Sequence, residues 1–95
     1  MEKSPEEIAL DLGERIRALR LATNATQAFI ADKAGVSERS LRDLETGQGS
    51  SVQTLIRVLK ALGVDDVIAA IAPRPLVSPL QLLDSKPRQR ARGSR

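Results

Sequence analysis

The tripeptide Gly35-Val36-Ser37 constrains the fold of this chain more than any other feature. Before it runs TQAFIADKA, in which Thr26 is an N-cap and Phe29, Ile30, Ala31 and Ala34 give a helix its apolar side. After it, Leu41 and Leu44 lie three residues apart, Ser37 caps a second helix and Gly47 stops it. Each helix is too short to persist alone, so the two must pack together and against others. Gly35 supplies the left-handed residue that ends the first helix. Small Ala31 and Gly35 permit close approach, and Val36 and Leu41 fill the gap. Residues 26–47 therefore read as two short helices joined by a tight turn.

The flanking sequence is helical as well. Ser4-Pro5-Glu6-Glu7 is a capping box with Pro at the first helical position. It opens a helix over about 5–23, with Ile8, Leu12, Ile16 and Leu19 inward, Gly13 as a mild weakness and Asn24 as a left-handed stop. A loop, Thr46 to Ser51, precedes a fourth helix from Val52. Leu55, Val58 or Leu59, and Leu62 face inward there, and Gly63 ends it. Asp65 and Asp66 start a fifth helix with Val67, Ile68 and Ile71 on its apolar face, ended by Pro73 and Pro75. No segment alternates with the period of two that marks a half-buried strand. The expected fold is all-α: a compact five-helix domain over 1–72, followed by a C-terminal segment over 73–95 that is apolar at 76–83 and then basic. Residues 86–95 are too poor in apolar groups to fold alone and are expected to be disordered.

Composition narrows the function. With 0 Cys and 0 His, the chain lacks a thiolate nucleophile, an imidazole base and the commonest ligands for a transition metal. No carboxylate cluster replaces them, so no enzyme, cofactor or metal site is expected. Phe29 is the 1 aromatic residue, which disfavours a base-stacking surface of the single-strand type. No apolar run is long enough for a membrane span, and the acidic start lacks a signal-peptide core, so the cytoplasm is the expected location. The net charge of +3 belongs to the tail. Residues 1–72 hold nine basic and eleven acidic side chains, against six basic residues and Asp84 beyond. Bulk charge gives the globular part no claim on nucleic acid; local geometry must do so.

Residues 26–47 have the layout of a helix-turn-helix, whose second helix presents its N-terminal residues to base edges in the major groove. The motif resembles the Cro/C1-type (Xre family) repressors through Leu19-Arg20, Thr26-Gln27, Ile30-Ala31, Gly35-Val36-Ser37, Leu41, Glu45 and Gly47. The stretch TLIRVLKALGV is similar to that family's fourth helix, and the resemblance covers about residues 10–72. It implies a lambda-repressor-like fold and a homodimeric regulator on palindromic double-stranded DNA. The tail SPLQLLDSKPRQRAR is similar to the HipB-like branch, which implies an antitoxin and autorepressor partnered with a HipA-like kinase. A module that mainly neutralises a kinase, with DNA binding secondary, and a phage-type repressor without a toxin are the alternatives.

The resemblance also implies roles. Ser37, Glu38, Arg39, Ser40 and Asp43 fall at base-reading positions, with Arg39 suited to guanine and Glu38 to cytosine. Thr26, Gln27, Arg42, Gln48, Ser50, Ser51 and Gln53 fall at phosphate positions. The loop after the second helix departs from the pattern, being neutral where the family is often basic. Arg20 and Glu45 match a pair that locks the first helix to the third; Arg15, Arg17 and Arg57 read as solvated charge, with phosphate contact by Arg17 the alternative. Phe29 stands where the family usually has a polar residue, either at the core edge or as an anchor for a partner. Ile68, Ile71, Leu76, Val77, Leu80, Leu82 and Leu83 exceed what a four-helix core needs and are the expected dimer surface. The basic tail has three readings: a solvated end, an arm on DNA, or a strip for an acidic partner.

Overall fold

A computed structural model of the chain describes residues 2–76. Five α-helices follow in order: α1 Pro5–Ala22, α2 Gln27–Ala34, α3 Glu38–Glu45, α4 Val52–Ala61 and α5 Ile68–Ile71. A 3₁₀ turn, Asp65–Val67, precedes α5, and no strand occurs among the described residues. Four of these helices start on a hydroxyl cap. Ser4, Thr26, Ser37 and Ser51 each accept a hydrogen bond from the N–H three residues on, satisfying one of the donors a helix start leaves free. In α1 the box is reciprocal, with the Ser4 N–H donating to Glu7 Oε1 at 2.8 Å. Gly35 has φ 73° and Asn24 φ 59°, so left-handed residues stop α2 and follow α1. The Val36 N–H donates to the Ala31 carbonyl at 3.0 Å, closing the turn into α3.

The core is built where α1 lies on α3 and α2 lies on both α3 and α4. Ile16, Ile30, Leu41, Leu44, Val58 and Leu59 are its buried large side chains, with Ala31, Ala34 and Ala61 between the helices. Val36 packs against it from the turn, as do Leu55 and Leu62 from α4.

Two expectations change. The buried side of α1 is Gly13, Ile16 and Arg20, while Leu12 is half-buried and Ile8 and Leu19 are exposed. The periodicity of apolar residues misplaced the face because a glycine and an arginine occupy two of its three inward positions. Gly13 is no weakness. A Cβ there would lie 2.6 Å from the Glu45 carbonyl oxygen and closer still to that of Leu44. The absence of a side chain lets α1 touch the backbone at the end of α3. The fifth helix is also smaller than expected, since Asp65 and Asp66 sit in the 3₁₀ turn and α5 is a single turn with no buried residue. Neither element has a side-chain cap.

Gly13→Ala separates these two views of α1. In a free helix the change gains up to about 1 kcal/mol; here overpacking against fixed carbonyls makes it destabilising by about 1–3 kcal/mol. Urea unfolding of the variant checks the sign, and a gain in stability would refute the close approach.

Candidate nucleic-acid interface

One buried charge cluster sets the position of α3. Arg20, in the last turn of α1, and Glu45, the last residue of α3, are 6% and 4% exposed. The Arg20 Nε donates to Glu45 Oε2 at 2.7 Å and its Nη2 to Oε1 at 3.0 Å, a bidentate fork. Its Nη1 donates to the Ala25 carbonyl at 2.8 Å. The Gln27 amide nitrogen adds a 3.1 Å hydrogen bond to Glu45 Oε1. Four residues thus join α1, the α1–α2 loop, α2 and α3 at one point. A carboxylate at a helix C-terminus is opposed by the helix dipole, and the guanidinium offsets that opposition. The hydrogen bond from Arg20 to Glu45 holds the guanidinium's affinity for its proton above the ordinary value, against the opposing effect of burial.

Held from behind by this cluster and by Leu41 and Leu44, α3 turns its remaining side chains outward. Glu38, Arg39 and Arg42 are exposed; Ser40 and Asp43 are half-buried. Ser37 is exposed and its hydroxyl is engaged at the cap, accepting from the Ser40 N–H at 2.9 Å and donating to the Ser40 hydroxyl at 2.9 Å. Arg39 Nε lies 3.9 Å from Asp43 Oδ2, a loose surface pair one turn apart that adds little stability. The open face carries two cations and two anions, so it attracts no polyanion through net charge. What it offers is a varied set of donors and acceptors at fixed positions.

The remaining named positions lie outside α3. Thr26, Gln48, Ser50, Ser51 and Gln53 are exposed. The Thr26 and Ser51 hydroxyls act as caps, and the Ser50 hydroxyl donates to the Ser51 carbonyl at 2.9 Å. Gln27 is half-buried, with its amide N–H committed inward to Glu45. The first N–H groups of α2 have no acceptor within the helix, so anion contact here falls to the backbone. Phe29 is 60% exposed beside the Thr23–Thr26 loop, against the core-edge one of its two readings. Ile68, Ile71 and Leu76 are exposed, whereas Val77, Leu80, Leu82, Leu83 and the basic tail lie outside the described residues. Sequence reasoning missed Val52 and Ile56, exposed on α4. Their four-residue spacing, continued by Lys60 along one row of the helix, was the available signal.

A family model described as a helix-turn-helix domain matches residues 11–70. The match covers more than half of the chain and all of α2 and α3, and the chain belongs to this helix-turn-helix family of DNA-binding domains. No helix among the described residues is long and apolar enough to cross a membrane.

Glu45→Ala is expected to lower stability by about 3 kcal/mol, because Arg20 keeps its burial and loses its counter-charge. Chemical denaturation measures it. A double-mutant cycle with Arg20→Ala should show strong coupling; additive losses would mean that the pair does not act as a unit.

Proposed function

We propose that this chain is a sequence-specific repressor that binds double-stranded DNA as a homodimer and reads the major groove with α3. The observation that carries the reading is the division of labour within α3. Leu41, Leu44 and Glu45 fix it to the domain, while Glu38, Arg39 and Arg42 have no part in the core. Its eight residues span about 12 Å, close to the groove width of about 12 Å. Arg39 takes guanine N7 and O6, Glu38 accepts from cytosine N4, and Arg42 meets phosphate. Thr26, Ser51 and the helix starts they cap flank the backbone. The protein acts by binding rather than catalysis, in the cytoplasm where the DNA is.

A neutral reading face with a neutral following loop gains little from phosphate charge, so specific affinity needs two copies of α3. Exposed Ile68, Ile71 and Leu76 near the end of the described chain support pairing there. Two-fold pairing matches a palindromic operator with half-sites near one helical turn apart. The likeness of residues 78–92 to HipB-like tails supports an autorepressor that also binds a HipA-like kinase.

Selection of duplexes from a random library by the full chain tests the reading, with enrichment of a palindrome expected. On the selected duplex, Arg39→Ala should cost about 1–3 kcal/mol, the scale of one bidentate base contact, with little effect on random DNA. Equal loss on both would make Arg39 a phosphate contact, and no enrichment would refute sequence-specific binding. Sedimentation should show a dimer at tens of micromolar that Ile71→Asp dissociates; a wild-type monomer would refute the pairing.

A further inference from the structure

A second surface lies in the groove between α2 and α4. Val52, Ile56 and Lys60 recur at i, i+4 and i+8, with Gln53 and Arg57 on the adjoining row. They line one wall of an open groove whose other wall is Lys33 and Ala34 of α2. Val52 is 73% and Ile56 43% exposed. All the charged residues of the groove, Lys33, Arg57 and Lys60, are cations, and none forms an ion pair with another described residue. Phosphate contact would use the cations and leave Val52 and Ile56 wet. A helix with carboxylates around an apolar side chain would use both.

The beginning of α1 has that chemistry. Residues 2–15 hold five carboxylates against Lys3 and Arg15, and Arg15 is taken up by Asp11, its Nε 2.9 Å from Asp11 Oδ2. Glu7, Asp11 and Glu14, at i, i+4 and i+7, share the side of α1 opposite Gly13, Ile16 and Arg20, with exposed Ile8 next to them; Asp11 is paired with Arg15 and Glu7 Oε1 caps the helix start, which leaves Glu14 and the second oxygen of Glu7 open. Within one chain α1 is committed to α3, whereas the groove belongs to α2 and α4. We infer that the groove receives the outer face of α1 from a second copy of this chain, with Ile8 on Val52 and Ile56 and the charges of Glu7 and Glu14 toward Lys33, Arg57 and Lys60. The two patches differ, so the contact is heterologous and passes from copy to copy. It is separate from the two-fold pairing near α5 and does not require DNA. On DNA it would join neighbouring bound copies and make their binding cooperative.

Charge reversal tests it on the full chain by sedimentation. Wild type should associate beyond the dimer at about 50 mM salt and lose that step at about 500 mM, where the screening length falls to a few ångströms. Arg57→Glu with Lys60→Glu should weaken the step tenfold or more, and so should Asp11→Lys with Glu14→Lys. Mixing the two double variants should restore it, because each then meets its opposite charge. Unchanged circular dichroism melting of each variant confirms that it folds. A wild type that does not associate further, a step insensitive to both reversals, or a mixture that fails to recover would overturn the inference. So would a loss confined to random-DNA affinity in Arg57→Glu with Lys60→Glu, which would make the groove a phosphate contact.

Discussion

The bidentate pair between Arg20 and Glu45 is the constraint on which the rest of the structure depends. It joins the end of α1 to the end of α3 in a place where neither charge reaches bulk water, and it draws in the Ala25 carbonyl and the Gln27 amide. An ion pair of this kind is weak evidence of net stability, since replacing both partners with apolar groups is often neutral. Its consequence is geometric. The fork geometry of a guanidinium admits one arrangement of a carboxylate, which fixes α3 relative to α1 and α2. The backbone contact at Gly13 lies at the same end of α3 and closes the same gap. A short helix that would be marginal alone becomes a rigid part whose outer face can carry specificity.

That arrangement explains how a domain with an acidic balance can serve nucleic acid. Association by bulk charge is not on offer, because Glu38 and Asp43 cancel Arg39 and Arg42 on α3 itself. Base readout demands position rather than charge, and position is what the buried cluster, the four hydroxyl caps and the turn at Gly35 supply. The cations instead gather on the α2–α4 groove and in the sequence of the tail.

Much of this was legible in the residues. Caps and stops marked α1 to α4, because Ser, Thr, Gly and Asn act locally through their own backbone. The turn at Gly35 to Ser37 was legible for the same reason. The inward side of α1 was not, since hydrophobic periodicity assigns no place to Gly13 or Arg20; their burial depends on what α3 brings to meet them. Nor was the extent of α5, where acidic residues at 65 and 66 suggest a helix start and the backbone makes only a 3₁₀ turn. Phe29 shows the limit most plainly: both the core edge and an exposed position were open to it, and the packing of Ile30 and Ala34 into the core turns it outward.

The central claim is that α3 is the reading element and that its anchoring residues stay off the DNA. Backbone amide shifts, followed by NMR as a selected duplex is titrated into labelled protein, test it most directly. The account predicts that the largest changes fall on Ser37 to Asp43 and on the helix starts at Thr26 and Ser51, with little change in α1 before Arg20. Changes concentrated on Lys33, Ile56 and Lys60, with α3 unmoved, would contradict it.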